Sequence, residues 1–190
     1  MPSPTFHLKF TTWCGPPQGY HDEPGFLNKV WPFLLEHSAL ISNVYLFKNA
    51  FFAGQRRWQR TFGKSLKLTL NSRSELEIID LGPMSSLPTQ LLNDLRHRSF
   101  YGGHLNVLYK ADSEDFLAKL CRLWPTSGTI SDQVDALGLQ EMESDFLTNF
   151  LSSIPERYLV AAFGHDADPL YIFGSFPALT KLKWLAERRG

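Results

Sequence analysis

Cysteine is scarce in this chain of 190 residues: Cys14 and Cys121 are far apart, and neither has a second Cys near it. That excludes a paired zinc-ligand spacing and a redox pair. Long apolar runs are also missing, so no membrane-spanning helix is expected. The opening Met1-Pro2-Ser3-Pro4 has neither a basic nor an apolar stretch of the kind a signal peptide begins with, and the expected location is the cytoplasm. Net charge is lacking too, because 19 Lys and Arg balance 19 Asp and Glu. A sequence pI near 7.0 argues against a nucleic-acid binder, which usually carries a basic footprint. There is no Gly-x-Ser-x-Gly elbow, Walker loop or His-Glu-x-x-His helix, so no enzyme, metal or cofactor is expected.

Aromatic residues are what the chain has in quantity: 15 Phe, 6 Tyr and 5 Trp, or 14% of the sequence. A single domain over residues 1–190 can bury roughly 70% of its unfolded surface and needs no disulfide or metal to do so. Phe6, Leu8 and Phe10 alternate with polar residues as in a half-buried strand, with His7 on the polar side. The apolar residues from Phe26 to Leu35 have helical spacing broken by Pro32, and residues 41–47 read as a strand. Residues 66–70 and 75–78 alternate around Asn71-Ser72-Arg73-Ser74, which predicts a hairpin with a four-residue loop and Lys67 near Glu75 or Glu77. A helix over 88–98 and a strand near 105–109 follow. Two further helices end at Pro125 and Pro155, and strands at 158–163 and 170–173 form a second hairpin. A last helix begins near Pro177, a residue favoured at a first helical position. Hairpins interleaved with helices predict an α+β domain, a mainly antiparallel mixed sheet with helices packed on it.

The balanced charge is sorted along the chain. No acid lies between Glu36 and Glu75, where Lys48, Arg56, Arg57, Arg60, Lys64, Lys67 and Arg73 occur. No base lies between Arg122 and Arg157, where Asp132, Asp135, Glu141, Glu143, Asp145 and Glu156 occur. Sorting of this kind can build a charged face on a neutral protein.

Each candidate chemistry has a plainer counterpart. Arg56, Arg57, Trp58 and Arg60 can grip phosphates and stack on bases, or can be a solvated face with its aromatic in the core. His165, Asp166 and Asp168 put an imidazole and two carboxylates together, as a small enzyme could use, or they make a polar hairpin tip. The acids from Asp132 to Asp145 can be a solvated helix face, can neutralise the basic segment, or can recognise a basic partner by imitating a phosphate row.

The opening strand ending Thr12-Trp13-Cys14-Gly15, the mid-chain hairpin and the closing strand Tyr158-Leu159-Val160-Ala161-Ala162-Phe163-Gly164 with its hairpin and helix form an overall pattern. In that pattern the chain resembles the immunity proteins of bacterial polymorphic-toxin and type VI secretion systems, most closely those paired with restriction-endonuclease-like DNase toxins. The resemblance implies a cytosolic protein that binds one cognate toxin tightly and occludes or distorts its active site. Such proteins are not enzymes, so no catalytic residues carry over. The expected partner-binding residues are then Asp132, Asp135, Glu141, Glu143 and Asp145, with Tyr20, His21, Asp22, Glu23, His165, Asp166 and Asp168 as further contacts. The alternatives are a nucleic-acid-binding module on Arg56 to Arg60 and a small enzyme at His165 to Asp168. Oligomeric state is open.

Overall fold

The computed structural model describes residues 6–11, 26–47, 64–70, 74–101, 107–124, 126–132, 137, 141–154, 159–164 and 169–188, with backbone alone at 47, 64–70, 74–77, 101 and 141–143. Eight strands share one sheet: β1 (Phe6–Phe10), β2 (Ile41–Phe47), β3 (Lys64–Leu70), β4 (Ser74–Asp80), β5 (Val107–Ala111), β6 (Thr129–Ser131), β7 (Leu159–Phe163) and β8 (Leu170–Gly174). Their spatial order is β3-β4-β2-β5-β7-β8-β1-β6. Every pairing is antiparallel. The α-helices are α1 (Trp31–Glu36), α2 (Thr89–Tyr101), α3 (Glu114–Cys121), α4 (Glu141–Ser152) and α5 (Phe176–Glu187). This is an α+β fold with helices packed on an antiparallel sheet.

Side chains alternate across a strand, so each central strand feeds two cores. On the first face, Leu8, Val44, Leu46, Tyr109, Ala161, Phe163 and Ile172 are buried with Leu34 of α1, Leu91 and Leu95 of α2, Phe116 and Leu120 of α3, and Leu179 and Leu182 of α5. On the second face, Tyr45, Ile78, Leu108, Val160, Ala162, Tyr171 and Phe173 are buried with Leu137 and with Phe146, Leu147, Phe150 and Leu151 of α4. Among the described residues, four α-helices therefore cover one face and α4 covers the other.

Two polar devices fix the ends of these layers. Asp80 accepts from both the Asn43 amide, at 3.1 Å to each oxygen, and the Gly82 N–H at 2.9 Å. Gly82 has a φ of +77°, a left-handed conformation that a side chain would strain. Its carbonyl still accepts from Val44 N at 2.9 Å, so the β2–β4 ladder runs on through the corner. At the other end, Arg122 donates to the Leu185 and Ala186 carbonyls at 2.6 and 3.2 Å, satisfying the C-terminus of α5. Gly128 N donates to Glu187 at 2.9 Å while its Cα passes so close to Leu8 and Phe10 that a Cβ would lie 2.6 and 2.7 Å from their side chains.

Several sequence expectations shift in detail. The first hairpin closes with residues 71–73 between its strands, and Lys67 lies opposite Glu77 in register. The spacing from Phe26 resolves into a π-helical turn, Phe26–Val30, leading into α1, with Pro32 just inside α1 at the change from π- to α-helix. The 88–98 helix extends to Tyr101. Strand β6, too short for periodicity to reveal, flanks β1.

Because α4 is the cover of the second face, its aromatic anchor should matter greatly. Phe150 is 2% exposed and packs edge-on against Tyr45 at 4.9 Å. Phe150→Ala should cost about 3–5 kcal/mol in a urea titration. Asn149→Ala, on the exposed side of the same turn, should change stability by less than about 0.5 kcal/mol.

Candidate protein-binding surface

The surface begins with the periodicity of α4. Ser144, Phe146, Leu147, Phe150 and Leu151 are buried, whereas Asp145, Asn149 and Ser152 are exposed. Positions 141, 145, 149 and 152 follow one another at helical spacing, so Glu141 occupies the backbone position one turn before Asp145 on the outward stripe. Position 143 falls instead on the stripe that continues into Phe146, Leu147 and Phe150. Acids in the first turn also favour the helix itself, by complementing the positive end of its dipole. Within α4, the Thr148 hydroxyl donates to the Ser144 carbonyl at 2.9 Å, and the Ser152 hydroxyl to the Thr148 carbonyl at 2.8 Å.

Asp132 is exposed just after β6, and Leu137 is buried in the second-face core with α4. On the same face of the sheet as Tyr171 and Phe173, His7 packs edge-on against Tyr171 at 5.6 Å and lies 6.2 Å from Phe173. His7 was expected on a solvated strand face, yet it is 3% exposed. The reason is that both faces of the sheet are covered, and His7 lies on the second face beside the buried Tyr171 and Phe173. Its Nδ1 has no hydrogen-bond partner among the described residues. Burial, and then the Lys9 cation, push the imidazole below its ordinary value, while the Asp132 carboxylate opposes them.

Other titratable groups are held in unreactive states. Burial pushes the Cys121 thiol strongly up, so it behaves as a small apolar residue. Burial and then Asp80 raise the Tyr45 phenol to about 12. The Tyr109 phenol is raised by burial and shares a 2.6 Å hydrogen bond with Ser99. Among the described residues no group of three or more His, Cys, Asp or Glu could hold a metal ion. No helix among them is long and apolar enough to cross a membrane.

Of the residues singled out in the sequence, Asp145 is exposed on α4, Asp132 is exposed after β6 within electrostatic reach of His7, and Glu141 and Glu143 are placed by backbone. Asp135, Tyr20, His21, Asp22, Glu23, His165, Asp166, Asp168, Arg56, Arg57, Trp58 and Arg60 lie outside the described residues. The hairpin that should carry His165 to Asp168 is present at its base, where β7 pairs with β8 and Gly164 N donates to the Pro169 carbonyl at 2.7 Å. One surface was not anticipated: Phe176 and Trp184 are 51% and 56% exposed on α5. Their eight-residue separation along a helix was the available signal, masked by the stronger Leu179 and Leu182 stripe.

No protein-family model, curated protein or solved structure matches the chain.

The buried imidazole sets a pH dependence. Its folded value is depressed, so the unfolded chain binds more protons near and below pH 6.5, imidazole's ordinary value. The neutral-His7 fold keeps its full stability above that value and loses it as the pH falls toward the depressed one. His7→Phe, which preserves an aromatic edge against Tyr171, should flatten this loss in thermal melts between about pH 7 and 5. An unchanged pH profile would show that His7 does not titrate there.

Proposed function

We propose that this protein is a stoichiometric inhibitor, an immunity protein that neutralises a cognate antibacterial toxin of nuclease type by covering its active site. The observation that carries this reading is the acidic stretch of the chain that α4 carries outward at Asp145. Asp145 stands exposed on a helix anchored by Phe146, Leu147, Phe150 and Leu151, within a stretch free of Lys and Arg from Leu123 to Glu156. Carboxylates on an anchored helix need little ordering when a partner arrives, so more of their interaction is realised as affinity. A nuclease cleft is basic because it must hold phosphates, and an acidic plate is its electrostatic complement. Such complementarity speeds encounter and rejects wrong partners. It asks for no cofactor and no catalytic group, and the action is placed in the cytoplasm, where the toxin's nucleic-acid substrate lies.

The test is a tagged pull-down from native lysate, washed at low and then high salt, followed by calorimetry with the purified partner. One nuclease retained stoichiometrically through high salt is the expected result. Combined Asp132→Lys, Glu141→Lys and Asp145→Lys should then weaken binding by about 2–4 kcal/mol. Unchanged affinity would remove the acidic face from the interface. Nucleic acid that elutes with salt would instead favour a binding module on the Arg56 to Arg60 segment.

A further inference from the structure

Helix α5 lies on the opposite side of the sheet from α4 and carries a surface of different character. Its inner stripe, Leu179, Leu182 and Ala186, is built into the first-face core. Its outer side forms an open trough lined by Phe176, Pro177, Thr180, Lys181 and Trp184. Docking the helix does not require these outer aromatics, and Phe176 and Trp184 are the two most exposed of the large apolar side chains among the described residues.

Both rings are nevertheless held in place. Phe176 packs against Phe6 at 5.3 Å, and the Arg188 guanidinium sits 4.8 Å above the Trp184 ring. Ordered aromatics beside arginine lose little freedom on binding and are the side chains most often found at the energetic centres of protein interfaces.

Charge identifies the occupant. The one ionisable residue lining the trough is Lys181, and Arg188 stands one turn beyond Trp184. Lys183 is already engaged by both oxygens of Glu187, at 2.8 and 2.6 Å. Lys181 reaches Glu114 of α3 at 2.7 Å, but the two side chains are 63% and 38% exposed. An exposed pair of this kind is weak and readily exchanged for an incoming carboxylate. A second copy of the chain joined through the same trough would set these cations against each other. The outer stripe of α4, with Asp145, Asn149 and Ser152, offers a carboxylate but no apolar side chain at those described positions.

We propose that the outer trough of α5 is a second docking site, taking an acidic amphipathic segment of a partner protein. An apolar side chain enters between Phe176 and Trp184, and flanking carboxylates meet Lys181 and Arg188. The site lies on the first-face side of the sheet and stands whether or not α4 binds a toxin. With both sites the protein could hold two partners of opposite charge at once.

The experiment uses the full chain, 15N-labelled and at low salt. The probe is a synthetic helix-forming peptide with Leu and Phe on one face and Glu on the other, alongside a matched peptide with Lys in place of Glu. The Glu peptide should shift the Trp184 indole resonance, assigned by its loss in Trp184→Phe, and should bind about tenfold more tightly than the Lys peptide. Trp184→Ala should weaken the Glu peptide by about tenfold with the melting temperature unchanged. Lys181→Glu with Arg188→Glu should reverse the preference. Equal binding of both peptides, shifts confined to α4, or no shift at millimolar peptide would overturn the proposal. So would a dimer in light scattering that disappears in Trp184→Ala, since the trough would then be filled by a second copy.

Discussion

Two-sided burial of β7 is the constraint on which the rest of the structure depends. All five of its residues, Leu159 to Phe163, are buried, with Leu159, Ala161 and Phe163 in one core and Val160 and Ala162 in the other. A central strand with no solvent face requires a cover on each side of its sheet. Helices α1, α2, α3 and α5 cover one side, and α4 with Leu137 covers the other. Once the apolar stripe of α4 is committed to Tyr45, Leu108 and Phe173, helical periodicity leaves Asp145 and Asn149 facing outward. The acidic surface is therefore a consequence of how the second core is closed.

The same constraint divides the molecule into sides of different chemistry. The α4 side presents Asp145, and the sheet face on that side includes the buried His7, held toward its neutral state by burial and then by Lys9. The α5 side presents aromatics with cations beside them. Glu187 ties this helix back to the sheet. Partial burial pushes its carboxyl up, but hydrogen bonds from Lys183, the Gly128 N–H and Ser127 outweigh that and hold it below the usual carboxylate value. Its ionised form is thus part of the fold, and that contribution is lost only as the pH falls through the depressed value.

The local elements were legible where one period dominated. The alternation in β1 and the apolar run of β8 specify strands, and the leucine stripe of α5 and the apolar stripe of α3 specify both element and buried face. Sheet order was not legible, because β4 beside β2 and β7 beside β5 are long-range choices with no local signature. Residues Thr129 to Ser131 are too few to show a period, and the polar side that alternation assigns to His7 is covered by a second core that no local pattern reveals. Gly128 was readable only after the close approach of Leu8 and Phe10 was known. The acidic stretch was visible as composition, but the outward position of Asp145 needed the phase of α4. The outer aromatics of α5 escaped because two exposed rings eight residues apart look like part of a core stripe until the leucines are seen to occupy the other side.

The most direct measurement is native-state hydrogen exchange of the full chain. If α4 is a fixed plate closing the second core, the amides of residues 146–151 should be protected and should open together with those of β7. Exchange of α4 at free-peptide rates while β7 stays protected would contradict this, because the second core would then have some other cover and the outward acids would have no fixed geometry.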